Sequence, residues 1–193
     1  MTQLPLFPLN TVIFPGGLLP LRIFEPRYLD MVSACLRTDT GFGVCLLKSG
    51  WATDRSARIH PVGTLCKIVD WTKLPDGLLG VTAQGTQRIR VVSSQVRSDH
   101  LMIGEVEPLP AEAELPLPME FIELSALLRQ IIDEIGPPYS DTPARYDQCA
   151  WVAGRLSELL PLQMAVKQRL LEADDVRGRL ALLRTELAGL HYL

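Results

Sequence analysis

Two different hydrophobic periods divide this 193-residue chain. Up to residue 107, apolar positions recur every second residue or form short runs between glycines and prolines, as β-strands do. Such runs are TVIF (11–14), LLPLRIF (18–24), GVCLLK (43–48), GTLCKIVDWTKL (63–74), GLLGVTAQG (77–85), TQRIRVV (86–92) and HLMIGEVE (100–107). Arg88 and Arg90 alternate with Ile89 and Val91, the pattern of a sheet with one wet face. Leu74-Pro75-Asp76-Gly77 predicts a hairpin turn, since proline presets φ and glycine accepts the left-handed position. Gln84-Gly85 predicts another tight bend. Many short strands close together predict a barrel or a strongly curved sheet.

One helix interrupts this half. Pro26 suits a first helical position, where its missing N–H costs nothing, and Glu25 suits the positive end of the helix. Tyr28, Leu29, Val32, Cys35 and Leu36 then share a face until residues 38–43 stop the run. PLPAEAELPLP, residues 108–118, holds four prolines in eleven positions and predicts a linker. Beyond it the period becomes helical. Phe121, Leu124, Leu128, Ile131 and Ile135 mark a helix ending at Gly136-Pro137-Pro138, and Tyr146, Ala150, Ala153, Leu156 and Leu160 mark a second. Residues 164–173 predict a third, and Asp174 is placed to cap a fourth that carries Val176, Leu180, Leu183 and Leu187. The expected fold class is therefore α+β: a β subdomain over 1–107, a linker over 108–118 and a helical bundle over 119–193.

Composition changes this picture little. A hydrophobic fraction of 47% with 21% charged residues is ordinary for a folded chain. No window approaches ~18 uninterrupted apolar residues, so no membrane span is expected. MTQLPLFPLN has no basic start and carries prolines where an export signal would be helical, so a cytoplasmic protein is expected. Net charge is −3, split unevenly. Residues 1–111 carry 11 Lys and Arg against 9 Asp and Glu, and residues 112–193 carry 8 against 13. A surplus of two in the β half is far from the basic excess that phosphate contacts demand, which argues against nucleic acid.

Candidate chemistry is sparse. Gly43-Val44-Cys45-Leu46-Leu47-Lys48-Ser49 approaches a phosphate loop, but Leu47 stands where glycine must let the amides wrap a phosphate. His60, His100 and His191 are isolated from other candidate ligands, and Cys35, Cys45, Cys66 and Cys149 lack metal or redox spacing, so buried thiols are expected. Glu105 and Glu107 share a strand face that reads as solvated rather than catalytic. No catalytic set, metal site or cofactor is assigned. Arg88, Arg90 and Arg97 with Lys67 and Lys73 could form a basic strip, yet only Trp71 is nearby to stack on bases.

LPLFPLNTVIFPGGLLPLRIFEPRY, followed by IHPVGTLCKIVDWTKLPDGLLGVTAQGTQRI, resembles the N-terminal substrate-binding domain of Lon proteases. KQRLLEADDVRGRLALL (167–183) is similar to a later helical segment of the same family, so the resemblance runs through nearly the whole chain. The IFEPRY form is closer to solitary bacterial members and to the related domain of cereblon than to the protease itself. The resemblance implies a PUA-like barrel followed by a helical subdomain, without the family's ATPase and Ser-Lys protease modules. It implies a non-enzymatic module that binds unfolded polypeptide or a specific protein partner. A curved sheet offers grooves and edges for an extended strand. Phe14, Leu18, Tyr28 and Trp71 are the candidate apolar contacts, beside the charges of Glu25 and Arg27. Arg27 either ties its helix to the barrel or meets the ligand. The alternative function is RNA binding, which PUA-like barrels serve elsewhere.

Overall fold

The computed structural model describes residues 1–49 and 58–189. Contacts divide the chain into two units, Met1–Pro110 and Ala111–Leu193.

The first unit opens with a strand that its prolines disguise. β1 (Thr2–Leu9) contains Pro5 and Pro8, and proline normally disrupts a central strand. Here β1 pairs with β7 (Met102–Pro108) over Thr2 to Leu6, then with β3 (Phe42–Ser49) over Leu6 to Leu9. Each proline thus sits where only one side of the strand is engaged. Residues 11–14, expected as a strand, instead form a buried irregular connection. It is held by the Thr64 hydroxyl, which donates to the Ile13 carbonyl at 2.6 Å.

β2 (Leu18–Ile23), β4 (Arg58–Ile59), β5 (Val62–Lys73) and β6 (Leu79–Val96) complete the sheet. Its order is β1-β7-β6-β5-β3, with β4 on β3 and β2 on β6. The parallel β1–β3 pairing closes the path on itself. The expected turn forms: Gly77, at φ 85°, donates its N–H to Leu74 O at 2.9 Å. The expected bend at Gln84-Gly85 does not, because β6 runs unbroken through it for 18 residues. Gly85 serves close approach instead. A Cβ there would meet the Phe14 carbonyl oxygen at 2.3 Å. The following Thr86 is the extra residue of a bulge against Leu65 and Cys66, which bends the long strand.

Leu6 and Phe7 point to opposite faces, and each joins a buried cluster. Leu6 packs with Cys45, Ile89, Met102 and Val106. Phe7 stacks on Tyr28 with centroids 3.9 Å apart and joins Phe42, Val44, Cys66 and Val81. The second cluster is covered by α1 (Pro26–Thr38). The buried face of α1 is rotated from the expected one. Arg27 and Met31 turn inward with Tyr28, Val32 and Cys35, while Leu29 and Leu36 are exposed. Arg88 departs too: it is 3% exposed, so the strand face it shares with Arg90 is not wet throughout.

The second unit begins inside the proline-rich run. Leu117 N–H donates to Asp147 O at 2.7 Å, Cys149 N–H donates to Leu115 O at 2.9 Å, and Pro116 bridges Gln148. Residues 115–117 are therefore stitched to the head of α3 (Cys149–Leu159), which packs in this unit with α2 (Ile122–Ile135), α4 (Met164–Glu172) and α5 (Val176–Gly189). Leu124, Leu128, Val152, Leu156, Leu170, Leu180 and Leu183 make the core. Tyr146 lies ahead of α3, where it meets Trp151 edge-on. Asp175, rather than Asp174, accepts the Arg177 N–H at 3.0 Å and caps α5.

Candidate functional site

β6 is flanked over residues 79–84 by β2 on one side and β5 on the other. Directly opposed residues share a face, so the registers define cross-strand rows. Leu19, Ala83 and Ile68 form one row, Leu21, Val81 and Trp71 the next, and Ile23, Leu79 and Lys73 the third. Within this apolar face Ile23, Val81 and Ala83 are buried, and Leu19, Leu21, Ile68 and Leu79 are half-buried against the core. Trp71 is 60% exposed and carries the face outward.

At the other margin lies a cavity of about 210 Å³ between the end of β1 and the second half of β2. Phe7, Pro8 and Leu9 line one side and Leu21, Ile23 and Phe24 the other, with Glu25 and Tyr28 at the head of α1. Phe24 is 64% exposed, a large apolar side chain at the mouth. The two charged residues of the lining are both engaged within the fold. Arg22 pairs with Asp76, and Glu25 accepts from Arg27 Nη2 at 2.6 Å. Burial holds the Tyr28 phenol above its ordinary range, with Arg27 opposing and Glu25 adding to the shift.

The structure disperses the residues expected at a site. Phe14 is fully buried, its carbonyl against Gly85, and offers no side chain to a ligand. Leu18 is half-buried at the start of β2, opposite Gln84. Tyr28 and Glu25 do line the cavity, and Trp71 lies on the same face as Leu21. Arg27 is 6% exposed and crosses from α1 to the loop before β7, where Nη1 donates to the His100 carbonyl at 2.8 Å. Its guanidinium also lies 4.6 Å from the centre of the Tyr28 ring. That arginine ties helix to barrel. Phe7, Pro8, Leu9, Leu21, Arg22, Ile23 and Phe24 of the lining are not among the expected residues. The alternation of Leu19, Leu21 and Ile23 within LLPLRIF is the available signal for two of them.

The basic strip that RNA would need is not assembled. Arg88 is buried, Arg90 stands opposite Glu107, and Arg97 pairs with Asp99 at 3.1 Å. The segment resembling a phosphate loop is the strand β3. Among the described residues no His, Cys, Asp or Glu cluster could hold a metal, and His191 lies outside them. All four cysteines are buried thiols. Burial pushes the Cys45 thiol up to about 12, so almost none is thiolate near neutrality. Iodoacetamide at pH 8 is expected to leave Cys45 unmodified in folded protein and to alkylate it in urea, as read by peptide mass spectrometry. Rapid labelling of Cys45 in the folded state would contradict that burial.

Residues 3–189 match the family model described as the ATP-dependent protease La (LON) substrate-binding domain. The chain belongs to the LON substrate-binding domain family. Its relatives include the Lon protease of Xanthomonas oryzae pv. oryzae, 30% identical over 189 residues. That alignment takes in 94% of this chain but 22% of the protease, so the chain spans about a fifth of such relatives. Cereblon of Xenopus tropicalis is 25% identical over 151 residues, which are 78% of this chain and 33% of cereblon. The crystal structure of a Lon N-terminal domain protein from Xanthomonas campestris superposes with a TM-score of 0.80 at 38% identity. It covers 96% of this chain and 98% of its own. This LON-family chain thus has the α+β fold of a solved Lon N-terminal domain.

Proposed function

We propose that this chain is a non-enzymatic module that recognises polypeptide in a non-native, extended state, acting as an adaptor or quality-control factor in the cytoplasm. The observation that carries the reading is the apolar β1–β2 cavity with the exposed Phe24 at its mouth, joined by the exposed Trp71 in the cross-strand row of Leu21. Large apolar side chains at a protein surface mark an interaction site when they are contiguous with a groove. Family membership supports the same reading, because the matched domain is the one described as substrate-binding. RNA is not favoured by any observation of the fold.

Fluorescence anisotropy with a reduced, alkylated and labelled polypeptide should give a Kd on the order of micromolar, about −8 kcal/mol. The double variant Phe24→Ser, Trp71→Ser should weaken it about tenfold or more while leaving the melting temperature in place. Both side chains are mostly exposed, so their removal tests contact rather than folding. No binding across several denatured polypeptides, or binding indifferent to the double variant, would sink the reading.

A further inference from the structure

We infer that the polypeptide adds as a strand to the outer edge of β2 and places one bulky uncharged side chain in the adjoining cavity. This rests on the polypeptide-recognition reading and specifies its mode and its ligand class.

Among the described residues β2 pairs with β6 alone. Its register spans Leu18 to Ile23 on that one side, and among the described residues no strand pairs with residues 19–23 on the other, where the end of β1 stands across the cavity. A strand so placed presents N–H and C=O groups that another chain can bridge. Pro20 in mid-strand fits this position, because its missing N–H faces the open side, which leaves the Arg22 N–H and the Pro20 and Arg22 carbonyls as the groups of residues 19–23 that a partner strand can bridge. Main-chain bonding of this kind is indifferent to sequence, as a binder of many non-native segments requires. It excludes helical ligands, whose amides are already used.

The cavity supplies the selective part. It lies beside Leu21, Ile23 and Phe24, at the end of the same strand. At about 210 Å³ it is below the roughly 300–1,000 Å³ typical of small-molecule sites, and its size suits one side chain. Charge complementarity points the same way. Arg22 and Glu25, the charged residues of the lining, are answered by Asp76 and Arg27. A phosphate, a carboxylate or an ammonium would therefore enter without a free counter-charge, while an apolar side chain leaves both pairs intact. The occupant is an extended stretch of another polypeptide carrying a leucine, phenylalanine or residue of similar bulk.

The test uses the full chain and a labelled peptide of Thr, Ser and Gln around one central phenylalanine. Two N-methylated forms carry the methyl groups on alternate amides, one set for each edge of the extended peptide. One form should lose affinity by about tenfold or more, the other should stay within about twofold of the parent, and a Phe→Glu peptide should not bind. Hydrogen exchange should show the Arg22 amide, the one outward N–H of residues 19–23, slowed by the parent peptide. If denatured polypeptide binds, but both methylated forms match the parent and β2 exchange is unchanged, strand addition is wrong and the broader reading survives. If no polypeptide binds, both fall. Should β2 be protected without peptide, in step with concentration-dependent dimerisation, the occupant is a second copy and the inference is overturned.

Discussion

Arg179→Ala is expected to destabilise the helical unit by roughly 3–5 kcal/mol, the usual cost of removing one partner from a buried ion pair. Arg179 is fully buried, and its Nη2 lies 2.6 Å from Glu112 Oε1 and donates to the Ala173 carbonyl at 2.8 Å. Glu112 belongs to the proline-rich run, so this pair pins residues 111–118 to the start of α5. Alanine would leave the Glu112 carboxylate in a poorly hydrated place without the guanidinium that offsets its charge. The double variant Glu112→Leu, Arg179→Leu should recover most of the loss, because a buried pair replaced by apolar side chains is often neutral. Urea unfolding followed by far-ultraviolet circular dichroism measures both. A loss below about 1 kcal/mol for Arg179→Ala would show that the pair is not buried as described.

The second large effect is expected at Gly85. Gly85→Ala should cost the β unit about 3 kcal/mol or more, at the upper end of overpacking penalties. The new Cβ would stand 2.3 Å from the Phe14 carbonyl oxygen and 3.1 Å from the Thr64 Cγ2. Neither can retreat easily. Gly16 N–H donates to Gly85 O at 2.7 Å and Gly85 N–H donates to Gly17 O at 2.9 Å, so the Phe14-to-Gly17 turn is fastened to β6 from both sides. Gly77→Ala is the control. Nothing lies within 4 Å of its added Cβ, so only the left-handed backbone at φ 85° resists, at about 1 kcal/mol. Equal urea midpoints for the two variants would refute the close-approach role of Gly85.

Much of the fold was legible. The helices of the second unit follow from their 3.6-residue stripes, and the β5–β6 turn follows from Pro75-Asp76-Gly77. The ordered motifs from PLFPL to KQRLLE were enough to suggest the family that the comparisons establish. What escaped were features decided by distant partners. β1 is not among the expected strands, and its prolines make sense only once β7 and β3 are seen to engage different halves of it. Gly85 reads as a bend until the Phe14 carbonyl is found against it.

The candidate site was half legible. Trp71, Glu25 and Tyr28 were chosen by residue type, and they border the apolar face and its cavity. Phe14 was chosen on the same grounds and is buried. Aromatic character alone cannot distinguish a ligand contact from a core residue, since both favour burial of the same surface.

Local chemistry thus determined most of the elements, the turn at Gly77, the change from strands to helices near residue 110 and the absence of any recognisable catalytic motif. Those depend on residues a few positions apart, and periodicity records them directly. Only the tertiary structure decided which arginines lie inside, because Arg27 finds the His100 carbonyl 73 residues away and Arg179 finds Glu112 across most of the helical unit. Only it showed, among the described residues, that residues 19–23 of β2 pair with a strand on one side alone, beside a cavity made with β1. Burial of a charge and exposure of a strand edge depend on what lies opposite, and that is written in no single stretch of sequence.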